Sequence, residues 1–345
     1  MTRIELSYRQ YPKGAVFQSL KKSILEKDYE TACHWMAEID LSNWHSTFWE
    51  KMIQMTCRDI HINNPRLPQL IHKKIMIFHK QKEERYYRSS DSSNSSNSKK
   101  EEFRTEGCQV LGAILYSKQG PTYELPTLKH IDPSDIEIQG PLHPLVEECS
   151  MKGDSAVLKI MLSKFMRKEL LHDKMHVLNI LYHIENNKQL ITTGVRVNQM
   201  IPTMYQSEWI WYLWQIILKQ YQHQDHIYPI LSSLYFLCCY DYSKSKKKSK
   251  QCILINVLIL ITTPKHQIQW NQGVFDDQRI HIIQKACQNI NVMYDDIGSM
   301  KHSTSPSPSF PSTTTAPPPY SSSLVKKDDL TRRFEMIDHL YTTLN

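Results

Sequence analysis

Residues 16 to 76 constrain this chain most, because they read as four consecutive amphipathic helices, each with its own start signal. Val16, Phe17, Leu20 and Ile24 recur at spacings of three and four, which places them on one helical face. Asp28 stands where a carboxylate caps the free N–H groups of a second helix bearing Tyr29, Ala32, Cys33 and Met36. After a turn at Leu41 to His45, Thr47 and Glu50 lie three apart in capping-box order. That order predicts a third helix start, with Phe48, Trp49, Met52, Ile53 and Ile60 as the buried stripe. Asn64 followed by Pro65 predicts a fourth start, since proline at the first helical position loses no hydrogen bond and already has a helical φ. Leu67, Leu70, Ile71 and Ile75 continue it.

The run SLKKSILEKDYETACHWMAEI followed by FWEKMIQMTCRDIHINNPRLPQLI resembles the C-terminal helical region of the MgsA/RarA family, AAA+ ATPases of replication-fork maintenance related to clamp loaders. The shared places are Lys21 and Lys22, Asp28 with Ala32 and Trp35, Asp59 and Ile60, and Asn64 with Pro65. Two positions depart from the family pattern: His61 replaces the turn glycine and Arg58 replaces an acid. The resemblance spans residues 16 to 80 and implies a clamp-loader-collar-like block that makes homo-oligomer contacts or binds replication or repair proteins and DNA. No G-x-x-x-x-G-K-[ST] loop occurs in the 345 residues, so the expected inheritance is assembly without ATP hydrolysis.

Composition fits helices joined by polar turns. Glycine is scarce, at 9 residues, which disfavours enzymes built on Gly-rich loops. The 8 cysteines (Cys33, Cys57, Cys108, Cys149, Cys238, Cys239, Cys252 and Cys287) have no paired spacing and fall mostly on apolar faces, so buried reduced thiols are expected. Thr2, Arg3 and Glu5 interrupt any secretory start. The longest apolar run, Cys252 to Ile261 with Asn256 inside it, is too short for a bilayer and reads as a helix buried on all sides. These features predict an intracellular protein of the nucleus or cytoplasm, with no membrane partner.

Breaks in composition divide the chain. Residues 1–81 form the first helical domain, 82–107 a disordered polar insert, and 108–153 an irregular connector with a helix and a short strand pair near Ile136 to Ile138. Residues 154–300 form a second helical block. In it, Asp154 is expected to cap a helix bearing Val157, Leu158, Met161 and Phe165, and Ser207 to start a segment with Trp209, Trp211 and Trp214. Residues 301–323 make a Ser/Thr/Pro-rich tether, and 324–345 a C-terminal amphipathic helix bearing Leu330, Phe334, Ile337, Leu340 and Tyr341. The fold class is all-α.

Candidate sites are for binding, with no catalytic residue and no cofactor. The main one is Lys244, Lys246, Lys247, Lys248 and Lys250, five lysines read as a loop between two apolar helices, suited to phosphate contacts or to a localisation signal. Lys21 and Lys22 add a smaller basic face, partly cancelled by Glu26 and Glu30. Pro317, Pro318, Pro319 and Tyr320 match the PPxY ligand of WW domains, whose aromatic groove takes a polyproline II segment. Trp209, Trp211 and Trp214 share a helix that is apolar on nearly every face, which favours packing over base stacking. His72 with His79, and His223 with Asp225 and His226, lack the companion ligands of a closed zinc site. The function this predicts is a non-catalytic accessory of DNA replication, recombination or repair; the alternative is an adaptor recruiting WW-domain proteins.

Overall fold

A computed structural model describes residues 5–88, 101–121, 141–167, 174–186, 192–198, 200–270, 272–275 and 277–300. Every regular element among them is helical, and the sole strand-like feature is an isolated bridge between Leu6 and Pro12. No helix among the described residues is long and apolar enough to cross a membrane.

The first four helices are α1 (Lys13–Leu25), α2 (Tyr29–Leu41), α3 (His45–Met55) and α4 (Leu67–Arg88). Val16, Leu20 and Ile24 of α1 are buried on the expected stripe. Lys27 takes a left-handed φ of 58° at the turn, and the Asp28 carboxylate accepts from the Thr31 amide at 3.1 Å and the Thr31 hydroxyl at 2.7 Å. Two start signals are overridden. Helix α3 begins at His45 with no side-chain cap, so Thr47 and Glu50 lie inside it. Helix α4 begins at Leu67, past Asn64 and Pro65, and the Asn64 side-chain amide donates across the fold to Ser117 Oγ at 2.9 Å and the Val274 carbonyl at 2.8 Å. Between these helices the chain winds into a π-turn at Thr56–Ile60. His61, where the resembled family has glycine, closes the turn at a φ of 39°, held by its Nε2 and the Pro121 carbonyl at 2.8 Å.

Helices α4 and α5 (Glu101–Tyr116) reach into the expected polar insert from both sides, leaving only 89–100 outside the described residues. A Lys74–Glu106 ion pair and the Phe78–Phe103 contact, with centroids 5.6 Å apart, join the two helices. Then come α6 (Pro144–Glu148), α7 (Ala156–Phe165), α8 (Lys174–Asn186), α9 (Trp209–Tyr221), α10 (Tyr228–Cys239), α11 (Lys247–Thr262) and α12 (Ile280–Met300). Helix α7 is capped by Ser155, whose Oγ accepts from the Leu158 amide at 3.3 Å, while Asp154 is committed elsewhere. Helix α9 starts at Trp209 after Glu208, without a side-chain cap from Ser207. The strand pair near Ile136 to Ile138, the 301–323 tether and the 324–345 helix lie outside the described residues.

The expected boundary after residue 81 does not divide the core. One continuous cluster of buried side chains runs from Val16 to Ile297, and residues 1–302 form one compact unit. Helix α12 packs on α2 and α5, α10 on α4, and α11 on the π-turn, α3, α8 and α10. The close approach of α12 to α5 needs Gly112, since a Cβ there would stand 2.7 Å from Ile283. Helix α11 is buried from Ile253 to Leu260, including Asn256, as a run apolar on nearly every face requires. Trp211 and Trp214 are fully enclosed, so the aromatic helix α9 is core. All eight cysteines are free, six of them buried.

Candidate functional site

The lysine run forms no free loop. Lys244–Lys246 make a single 3-10 turn and Lys247 opens α11, so most of these ammonium groups face protein. Lys246 pairs with Asp241 and stands 3.7 Å from Glu50, tying α11 to α3. Lys247 bridges Glu208 at 2.8 Å and Glu185 at 3.5 Å, tying it to α8 and to the start of α9. Lys250 is 3% exposed and donates to the carbonyls of Leu237 and Tyr240, both at 2.7 Å. Those are end carbonyls of α10, which have no partner within their own helix and sit at its negative pole. Burial holds the Lys250 ammonium below the usual lysine range. Lys250 is thus corrected from a phosphate contact to a helix-end cap. Only Lys244 and Lys248 of the five are exposed. Lys21 and Lys22 are exposed on α1, with Lys22 3.8 Å from Glu26.

Lys250→Ala is expected to lower unfolding stability by about 2 kcal/mol, because two end carbonyls lose their donor. Lys244→Ala and Lys248→Ala should stay within about 0.5 kcal/mol of the parent. Urea titrations of the three variants check this.

The available cations lie elsewhere, around two adjoining clefts that meet at Val274. The larger has a volume of about 780 Å³ and is rich in carboxamides, with Asn63, Gln267, Gln269 and Gln272 beside Tyr116 and Lys118. Arg279 sits over the Tyr116 ring, 5.6 Å from its centroid. The smaller, of about 500 Å³, takes Arg66, Gln69, Leu70 and Lys73 from the start of α4. Their spacing of three, four and seven puts them on one face. Asp225, His226 and Pro229 enter from the start of α10, and Trp270 from the loop after α11. The indole Nε1 of Trp270 donates to the Lys265 carbonyl at 3.0 Å, and the His226 ring meets the indole nearly perpendicularly at 5.0 Å. Burial, and then the Lys265 ammonium, push His226 below the usual histidine range, so its ring is neutral at pH 7.

No family model matches the chain, and no curated protein or solved structure is similar to it. His72 and His79 act as packing groups, while His223 is exposed beside Gln222. His72 stacks on Phe236 with centroids 3.8 Å apart, and His79 meets the Tyr240 hydroxyl at 3.2 Å, so both fasten α4 to α10. Among the described residues no three His, Cys, Asp or Glu side chains gather as metal ligands do. The residues of the clefts escaped sequence reasoning because they come singly from distant segments. The seven-residue interval between Arg66 and Lys73 was the one local signal that marked a basic helix face. Pro317, Pro318, Pro319 and Tyr320 lie outside the described residues.

Proposed function

We propose that this protein is a non-catalytic accessory of DNA replication, recombination or repair that acts by binding, through its helical body, to nucleic acid and to partner proteins, including further copies of itself. One observation carries the reading. Arg66, Lys73, Lys118, Lys265 and Arg279 are all exposed around the paired clefts, and among the described residues none lies within ion-pair distance of a carboxylate. Among the described residues, Asp225 and Asp277 are the acids that line the same clefts. Side chains that fold stability leaves unpaired are the ones free to neutralise phosphates, and a net charge of +7 assists the encounter. The resemblance of residues 16 to 80 to the MgsA/RarA helical region supports the replication setting and self-association.

Purified protein is expected to bind short DNA, with affinity falling roughly 20- to 130-fold for a single strand and roughly 40- to 500-fold for a duplex between about 50 and about 200 mM salt, as three to five phosphate contacts require. Fluorescence anisotropy across a salt series measures this, and a flat salt response or no binding would count against the reading.

The PPPY segment supports a second reading, an adaptor that recruits WW-domain proteins such as ubiquitin ligases. In that case Tyr320→Ala abolishes capture of a WW domain and leaves DNA binding unchanged.

A further inference from the structure

The smaller cleft differs from a generic basic patch in carrying a fixed aromatic ring on a wall that also bears groups of both charges. Trp270 is half-buried, and its plane is set twice, by the indole bond to the Lys265 carbonyl and by the perpendicular His226 ring. A ring already held in place costs little further ordering when something stacks on it. Arg66 and Lys73 present two cations from one face of α4, and Asp225 presents an acceptor from the neighbouring turn. His226, neutral for the reasons given above, adds no charge of its own.

We infer that this cleft holds a phosphorylated nucleobase unit of a single-stranded nucleic acid, with the base stacked on Trp270 and the backbone phosphates on Arg66 and Lys73. This rests on the nucleic-acid reading above and narrows it to one form of ligand. The chemistry discriminates among occupants. An acidic peptide gains from Arg66 and Lys73 but has nothing to place on Trp270 and is repelled by Asp225. A base stacks on the indole, and its amino group donates to the Asp225 carboxylate. A duplex cannot satisfy the site, since its bases are stacked on one another and show no free face to an aromatic ring. The carboxamides of the adjoining cleft, Gln269 and Gln272, both donate and accept, which suits the edges of further unpaired bases. Strand and free nucleotide share this chemistry, and the continuity of the two clefts through Val274 favours the strand.

The test uses the full chain, a labelled single strand of about 15 nucleotides, and the duplex of the same length. Trp270→Ala is expected to weaken single-strand binding about tenfold, as loss of one stacked base does, with Trp270→Phe restoring most of it. Arg66→Ala with Lys73→Ala should weaken binding and flatten its salt dependence, and circular dichroism melts verify that each variant is folded. Wild-type affinity in Trp270→Ala or in the Arg66/Lys73 double variant, or equal affinity for strand and duplex, overturns this inference and leaves the nucleic-acid reading standing. Competition by a free mononucleotide at the concentration of the strand overturns the strand as occupant. Failure to bind either form of DNA overturns both the inference and the function on which it rests.

Discussion

A chain ending at residue 278 is expected to lose its cooperative melting transition. It lacks α12, which buries Ile283, Ile290, Tyr294 and Ile297 against α2 and α5. Burying each such side chain contributes about 1.5–3 kcal/mol, so four of them supply roughly 6–12 kcal/mol. That is the size of the whole stability of an ordinary domain, about 5–15 kcal/mol. Polar contacts are lost as well: the Arg104 guanidinium lies 3.8 Å from the Tyr294 ring centroid and donates to Asn291 Oδ1 at 2.7 Å. Removing α12 exposes the α5 face that Gly112 keeps clear, along with the α2 surface around Tyr29 and Cys33. Differential scanning calorimetry of the shortened and full chains decides the matter. A single sharp transition near the parental temperature in the shortened chain would mean that the first helices carry a core of their own.

Asp154→Ala is expected to cost about 3–5 kcal/mol, the typical penalty when one member of a buried ion pair is removed. The Asp154 side chain is fully enclosed and that of Arg196 nearly so. Asp154 Oδ1 accepts from the Gly194 amide at 2.9 Å and Arg196 Nη1 at 3.0 Å, and Oδ2 from the Met151 amide at 2.6 Å and Arg196 Nη2 at 2.8 Å. Without the carboxylate, the guanidinium stays buried over the Tyr212 ring, 3.9 Å from its centroid, with only carbonyls and Gln215 to accept from it. The double variant Asp154→Ala with Arg196→Met should recover much of the loss, because no uncompensated charge remains.

Acid gives an independent measurement of the same pair. Burial raises the Asp154 pKa, but the bonds from Arg196 and from the Met151 and Gly194 amides outweigh it and leave the group below the usual carboxylate range. A carboxyl with a lower pKa folded than unfolded contributes stability that is complete above the unfolded value, about 4, and is lost as pH falls through the folded value. The stability difference between the parent and Asp154→Ala should therefore be constant above about pH 5 and shrink as the solution is acidified below about 4. Chemical denaturation across that range reads it directly.

Local patterns and long-range pairing part company at identifiable residues. The stripe of α1, the Asp28 cap and the burial of α11 were legible because each depends on neighbours within a few positions. The starts of α3, α4 and α7 were not: Glu50 faces Lys246, Asn64 donates to the Val274 carbonyl and Asp154 pairs with Arg196, each far along the chain. Charge counting failed at Lys246, Lys247 and Lys250 for a related reason: a run of like charge says nothing about the carboxylates and helix-end carbonyls that the fold brings to it. The paired clefts were invisible because α4, α5, α10, α12 and the loop after α11 must meet before they exist. The burial of Trp211 and Trp214 was the easier case, as a helix apolar on all sides has no face left for solvent.

The pairing of α2 with α12 also sets the order of events during synthesis. Residues 29–41 leave the ribosome some 250 positions ahead of the helix that covers them. Until translation passes residue 300, the apolar sides of α2 and α5 have no native lid, and the growing polypeptide must be shielded by chaperones or by provisional contacts within itself. Slow, chaperone-dependent maturation, with poor yields when production outruns that shielding, is the cost of closing a helical core with the most C-terminal of its described helices.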